Sequence, residues 1–493
     1  MILGLVGKLL STRRTFVIIL AIGLFTMAGR DNLDPDFWWH LKTGQLIWQK
    51  HSVPTVDPFS CARAGQPWVA HEWLSELFIY GLYEHVGNNG LVWIFAFLVA
   101  LAHLITYQRC TGRPYLAGAI TLWGAVASLP TWGIRPQMLT LLLAALFLLL
   151  LDRIEGNPKL VWLLPPLTVV WANLHAGYAA GIGFIALYFV GWTIEGWFEA
   201  VPPSVRRTQR RLLIAGALSV VAVIFNPNGV RLLWYPFETL NSRAMQRFIT
   251  EWASPDFHQI ASWPLLALLP AGIFALRWSR TRGRDAALLV PTSAMALISI
   301  RLVPLFVLVA IPIVSRGLTE LARRQRFTAP LLKAGSEANR RRQLLHAVAL
   351  AAVLGFASFE IRQVDGRAER LQREIFPVAA ADFLAQQPIQ GCLFNHYYWG
   401  GYLIWRLYPG YRVGIDGRAD VYGDSYIFDF VDTFNARRGW EMRLQSNRPA
   451  AFIVPGGEPL AAVLALSPEW KGVFLDPQAV VYVPAKDAPG SGR

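Results

Sequence analysis

Long apolar runs recur through the first three-quarters of this 493-residue chain, and they constrain its fold more than any other feature. They fall near 15–29, 90–107, 115–131, 136–151, 160–174, 178–195, 212–225, 260–276, 286–300, 302–315 and 343–359. A helix needs about 17–25 residues to cross the hydrocarbon core of a bilayer. The shorter runs are bordered by polar or Trp-rich residues suited to the membrane interface. About eleven transmembrane helices are therefore predicted, the tightest turn lying at Arg301, between the last two runs before 316. Lys8, Arg13 and Arg14 precede the first run as they would in a signal peptide, but no small-x-small cleavage site follows Met27-Ala28-Gly29-Arg30. A retained first helix is expected.

Composition agrees with a membrane protein: 54% of residues are apolar, only 16% charged, and mean hydropathy is +0.36. The net charge of +14 would suit a polyanion binder if it were concentrated on one surface. It is not. With the N-terminus inside, the inner segments carry 23 Lys and Arg against 7 acids, the outer loops 9 against 10, and the tail from 360 onward 14 against 15. Positive charge marks cytoplasmic loops, so the topology reads N-in and C-out, and no nucleic-acid partner is expected. Three cysteines, Cys61, Cys110 and Cys392, are too few for a disulfide scaffold and are expected to be inert buried thiols.

Two domains follow: a membrane domain over 1–359, with outer loops 30–89 and 226–259, and an extracytoplasmic α/β domain over 360–493. In the first loop, Phe37, Leu41 and Trp48 recur at helical spacing after Asp36, and His71–Phe78 forms a second amphipathic stretch. Both read as surface helices with Trp anchors. The tail opens with a charged helix over 360–375. Strands are predicted at 392–395, 411–415, 450–454, 472–475 and 479–483, the last two as a hairpin. Helices between them include one over 425–446, broken near Gly439. Strands alternating with helices imply a mostly parallel sheet, with Asn395-His396 and Asp416-Gly417-Arg418 at the carboxyl ends of its strands, where ligands gather.

The residues able to carry chemistry lie on the outer side. Asp34 and Asp36 follow the first span. A carboxylate there can take a proton from an acceptor hydroxyl or help hold a divalent cation such as Mg or Mn beside a phosphate; equally, either Asp can cap the helix starting at Phe37. His40, Glu72 and His175 are candidates for binding substrate. His175 ends the fifth span, where a polar group faces protein rather than lipid, and helix-to-helix hydrogen bonding explains it as well. No His-x-x-x-His or Cys-x-x-Cys spacing marks a metal site. Arg135 and Arg301 stand at outer ends of spans against the charge bias. Their guanidinium forks suit phosphate oxygens or snorkel to lipid headgroups.

The first-loop acids in Asp34-Pro35-Asp36-Phe37-Trp38-Trp39-His40, after one N-in span and before surface helices, resemble the GT-C superfamily. These are membrane glycosyltransferases that use polyprenyl-phosphate sugars. They include protein O-mannosyltransferases, aminoarabinose transferases and oligosaccharyltransferase catalytic subunits. The resemblance implies that Asp34 or Asp36 is the catalytic acid/base residue. Oligosaccharyltransferases carry Trp-Trp-Asp-Tyr-Gly in their outer domain. This chain has Tyr398-Trp399-Gly400-Gly401-Tyr402, with Gly at the Asp place, so N-glycosylation of peptides is not expected. The aromatics of 397–402, with Asn395, Asp416 and Arg418, can stack and hydrogen-bond a sugar. Alternatively, Gly400-Gly401 serves close packing and Asp416-Gly417 a turn.

The expectation is a polytopic α-helical membrane protein of GT-C type in a bacterial inner membrane. It would move a sugar from a polyprenyl-phosphate carrier to an outer acceptor. A transporter or flippase for the lipid-linked intermediate, or a non-catalytic assembly or sensor protein, are the rivals.

Overall fold

In a computed structural model, residues 12–198, 202–279, 281–324, 340–387, 390–445 and 449–488 are described. Lys8, counted above among the inner charges, lies outside them, as do residues 325–339 of the inner segment 316–342. The chain divides into two compact units, each drawn from separate stretches of sequence.

The first unit comprises residues 1–30, 92–229 and 250–365. Every apolar run of the sequence falls on helical structure. Pro114, Pro136 and Pro203 each open a helix, where a missing N–H costs nothing. Six of the described helices are long and apolar enough to cross a membrane: Trp73–Gln108, Pro136–Arg153, Tyr178–Phe198, Ile260–Trp278, Ile300–Arg324 and Gln343–Ile375. Every residue from Val303 to Ser315 is buried, as expected of a helix apolar on all sides. By contrast, Leu344, Leu345, Val348, Phe356 and Phe359 are all exposed, a face suited to lipid. Helices Tyr178–Phe198 and Arg282–Ile298 meet through glycine: a Cβ on Gly191 would come within 2.4 Å of Arg284 Cα. Small residues permit such backbone approach in membranes. Charged side chains at the ends of these helices pair with one another. Arg109 bonds Asp152 at 2.8 Å, Arg284 meets Glu155 and Glu195, and Arg316 meets Asp285.

The second unit comprises residues 31–91, 230–249 and 366–493. Its sheet has five strands: β1 (Gly391–Asn395), β2 (Tyr411–Val413), β3 (Ala451–Val454), β4 (Trp470–Leu475) and β5 (Val480–Pro484), in the order β2-β1-β3-β5-β4. β1 pairs with β2 and β3 in parallel, while β3–β5 and β4–β5 are antiparallel, so the expected parallel core and closing hairpin are both present. The helix expected over 425–446 is two, Ala419–Phe434 and Trp440–Gln445, separated at Gly439, whose φ is +84°. The span expected to end at 359 continues as one helix, Arg340–Ile375, through the charged stretch beyond.

The first loop completes this sheet. Phe59 and Cys61 exchange backbone hydrogen bonds with Val413 of β2, covering an edge that would otherwise present unpaired groups. Cys61 is joined there to Cys392 of β1 by a disulfide, which corrects the expectation of inert thiols for these two. Each had looked like an isolated cysteine because the partners stand 331 residues apart. Cys110 is the free thiol. Alkylation of the denatured chain is expected to modify one cysteine without reductant and three with it, counted by intact mass. Removing the bond costs about 2–5 kcal/mol.

Candidate active site

The first-loop helix, Phe37–Lys50, begins with the two acids that the sequence singles out. Asp34 Oδ1 accepts the backbone N–H of Asp36 at 2.9 Å, so Asp34 shapes the turn into the helix. Asp36 stands at the N-cap position but makes no side-chain cap bond; its Oδ1 accepts from Trp39 Nε1 at 3.2 Å. Asp34 thus holds the turn before the helix rather than its first N–H groups, and the Asp36 carboxylate is aimed elsewhere. It points at Gly417, where an added Cβ would lie only 1.7 Å from Asp36 Oδ1. Tyr397 faces the same region. Burial first, then the charges of Asp36, Asp416 and Asp420, hold its hydroxyl well above the ordinary value. Gly417→Ala is expected to displace the Asp36 carboxylate while leaving the fold intact. If the Asp36 carboxylate serves as a base, a misplacement of about 1 Å costs about 100-fold in rate, to be read as turnover beside an unchanged elution profile.

One turn past Asp36, His40 enters a buried cluster. Its Nδ1 lies 3.2 Å from Glu76 Oε1 and 3.7 Å from Glu72 Oε2, and none of the three residues is more than 5% exposed. Glu72 and Glu76 are one helical turn apart at the start of Trp73–Gln108, which brings both carboxylates to one side. Burial opposes a charge on His40, but Glu72 and Glu76 outweigh it and raise its pKa. His71 continues the chain of contacts: its Nε2 is 3.6 Å from Glu72 Oε1, and its ring lies 4.2 Å from that of Tyr235. Burial raises the Asp420 carboxyl, against the lowering effect of His71 and Arg418.

Three other candidates are interior groups of the same unit. Arg418 is 2% exposed and Asp416 fully buried. Arg418 forks onto Asp416 at 2.8 and 2.7 Å and reaches Asp57 Oδ1 at 2.7 Å, lying over the rings of Trp68 and Phe59. Tyr422 donates to Asp416, and Ser60 to Asp57. Asn395 donates to the carbonyls of Ile415 and His396 and accepts from Gly414 N, fixing the crossing from β1 to the β2 end. In this structure all three side chains are committed to protein partners rather than presented to a ligand. The Gly400-Gly401 pair serves close packing: a Cβ would meet Ile415 O at 2.1 Å or Pro35 O at 2.4 Å. Of the neighbouring aromatics, Trp399 is buried and Tyr398 exposed.

The remaining candidates belong to the first unit. Arg135 is ion-paired with Glu251, and Arg301 lies 4.0 Å from the other oxygen of the same carboxylate, over the Trp252 ring. The anion that each arginine required is thus a shared glutamate, and all three side chains stay partly exposed. His175 Nδ1 accepts the Gly177 N–H, with Thr140 Oγ1 2.8 Å away, and Thr140 Oγ1 accepts a hydrogen bond from Trp171 Nε1. This is the interhelical hydrogen bonding that the sequence allowed.

Four partners went unassigned in the sequence: Asp57, Glu76, Glu251 and Asp420. Glu76 alone carried a readable signal, its helical spacing from Glu72. For a cation, the described residues bring together one His and carboxylate group with donor atoms within 4.8 Å, namely His40, Glu72 and Glu76.

No family model and no curated protein matches the chain. Solved structures do. The oligosaccharyltransferase AglB of Archaeoglobus fulgidus, in complex with an inhibitory peptide and a dolichol-phosphate, superposes with a TM-score of 0.56 at 11% identity, over 90% of this chain and 69% of AglB. An apo oligosaccharyltransferase of the same organism gives 0.54 at 12% identity, with the same coverage. Apo ArnT of Cupriavidus metallidurans gives 0.52 at 14% identity, over 96% of this chain and 98% of ArnT. The chain has the fold of the GT-C glycosyltransferases, the superfamily that its first-loop acids resemble.

Proposed function

We propose that this GT-C-fold chain is a membrane glycosyltransferase that moves a sugar from a polyprenyl-phosphate carrier to an acceptor hydroxyl on the outer side of the membrane. The observation that carries the reading is Asp36. It follows the first helix of a GT-C fold, accepts from Trp39 Nε1 and makes no cap bond, while Asp34 holds the turn before it. The carrier is proposed because AglB, which shares the fold, was solved with a dolichol-phosphate.

In the reaction, the acceptor oxygen attacks the anomeric carbon as the bond to the phosphate oxygen breaks. Carrier phosphate leaves with the electron pair, and Asp36 takes the proton of the attacking hydroxyl. One base suffices, since a phosphate departs without a strong acid.

The outer placement of loop 30–89 and of 360–493 is part of the proposal. The Cys61–Cys392 disulfide supports it, because such bonds persist in oxidising compartments. Free Cys110 falls in a segment assigned to the cytoplasm by its charge.

The test uses sealed vesicles enriched in the full chain and supplied with polyprenyl-phosphate-linked labelled sugar. Label leaving the carrier for an acceptor, with free polyprenyl phosphate formed in equal amount, is the expected result. Passage of the intact lipid-linked sugar across the membrane without turnover would overturn it in favour of a flippase.

A further inference from the structure

The His40, Glu72 and Glu76 cluster is built beyond what an ion pair requires. The two helices that carry it approach backbone to backbone. One turn below His40, Gly44 lies so close that a Cβ would be 2.1 Å from Glu76 O. Only glycine there lets the first-loop helix settle against the start of Trp73–Gln108 and press the imidazole onto both carboxylates.

Even so, Oε2 of Glu76 is left buried with no hydrogen-bond partner among the described residues, in a side chain 1% exposed. An imidazolium at His40 answers Oε1 and leaves this second oxygen desolvated and without a donor, the arrangement that native interiors avoid.

We propose that His40 Nδ1, Glu72 and Glu76 bind a divalent first-row metal ion of the zinc class, at a site made wholly by the first outer segment. Zinc holds its nitrogen and oxygen ligands at about 2.0–2.2 Å, which sets neighbouring donors of a tetrahedron about 3.4 Å apart. The observed separations from His40 Nδ1 are 3.2 and 3.7 Å, and all three donors fall within 4.8 Å. One imidazole with two carboxylates suits zinc and its neighbours better than magnesium, which prefers oxygen alone. Three protein ligands leave a fourth position open.

The surrounding layer fits as well. A ligating carboxylate needs an outer partner to orient it, and His71 sits 3.6 Å from the Glu72 oxygen that does not face His40. Bound metal would clamp the Phe37–Lys50 helix to the helix start at Trp73, steadying the turn that carries Asp36. Asp34 and Asp36 are not ligands in this assignment. The site stands whether or not the chain transfers sugar.

The experiment reads metal directly. Full-length chain is purified in detergent, stripped with chelator and titrated with Zn2+, and bound metal is counted by mass spectrometry. Wild type is expected to retain one tightly held Zn2+. Glu76→Gln and Glu72→Gln, which keep side-chain size, are expected to weaken it by more than about 100-fold, and His71→Ala by about 10–100-fold. X-ray absorption on the zinc-loaded wild type adds a measurement that needs no variant. One imidazole and oxygen donors at about 2.0–2.2 Å are expected. Zinc held equally by a Glu72→Gln/Glu76→Gln double variant, no zinc in wild type, or a shell containing sulfur or several imidazoles would overturn the assignment.

Discussion

Asp36→Asn yields a folded chain, with the Cys61–Cys392 bond intact, whose sugar transfer falls by about 100- to 10,000-fold, the usual contribution of a positioned general base. The amide keeps an oxygen to accept from Trp39 Nε1 and so preserves the local geometry, but it cannot take the acceptor proton. Asp34→Asn makes the matching control. Its amide oxygen still accepts the Asp36 N–H, so turnover stays close to wild type. Asp34→Ala loses that bond and costs about 1 kcal/mol, the usual net worth of a hydrogen bond. Labelled-sugar transfer in vesicles, with protein amount matched, checks all three. Asp36→Asn at more than half of wild-type turnover would remove Asp36 from the mechanism, and a large loss confined to Asp34→Asn would exchange the two roles.

The largest stability effect is expected at Arg418→Met. The substitution keeps much of the side-chain volume over Trp68 and Phe59 but strips the guanidinium from Asp57 and Asp416, both fully or almost fully buried. Breaking a buried pair from one side costs about 3–5 kcal/mol. In a unit of about 200 residues, each kcal/mol moves a midpoint by about 2–4 °C, so the thermal midpoint of the detergent-purified chain should fall by about 6–20 °C.

The same pair predicts an acid limit. Burial works to raise the Asp57 carboxyl, yet Arg418, Ser60 and the Phe59 N–H outweigh it and hold it below the ordinary 3.8. A carboxyl depressed in the folded state adds stability that is complete above its unfolded value and lost as pH falls through its folded one. The wild-type midpoint should therefore hold down to about pH 5 and drop below about pH 4. A wild-type midpoint flat to below that range would sink the linkage.

The local pattern of the chain made much of this fold readable. The run at 115–131 became the Pro114–Ser128 helix with a 3-10 turn after it, because a Pro start and continuous apolar residues leave few alternatives. β-branched and aromatic runs between turn residues gave β1 to β5 within a few residues. The junction at 359 was read less well. The charged stretch after it looked like a new element, yet neither Gly355 nor Gly366 stops the helix, since neither has a positive φ.

In the candidate site, what could be read was residue type, and what could not was partnership. Arg418 and Asp416 stand in an Asp-Gly-Arg turn that resembles a sugar-binding edge. Only Asp57, 361 residues earlier, reveals them as an internal strut. His40 meets Glu76 across 36 residues, and no periodicity links the two. Arg135 and Arg301 each announced a need for an anion without saying that one glutamate served both.

The second unit is stitched from three distant stretches, and this dictates an order of assembly at the ribosome. Residues 31–91 emerge some 300 residues before the strands that they complete. Until then Phe59 and Cys61 have no β2 edge, Asp57 has no guanidinium and Cys61 has no thiol to pair with. The nascent first loop must therefore wait, with its carboxylates solvated, while the intervening helices are made. A nonsense mutation between 92 and 366 would leave that loop without the strands it completes.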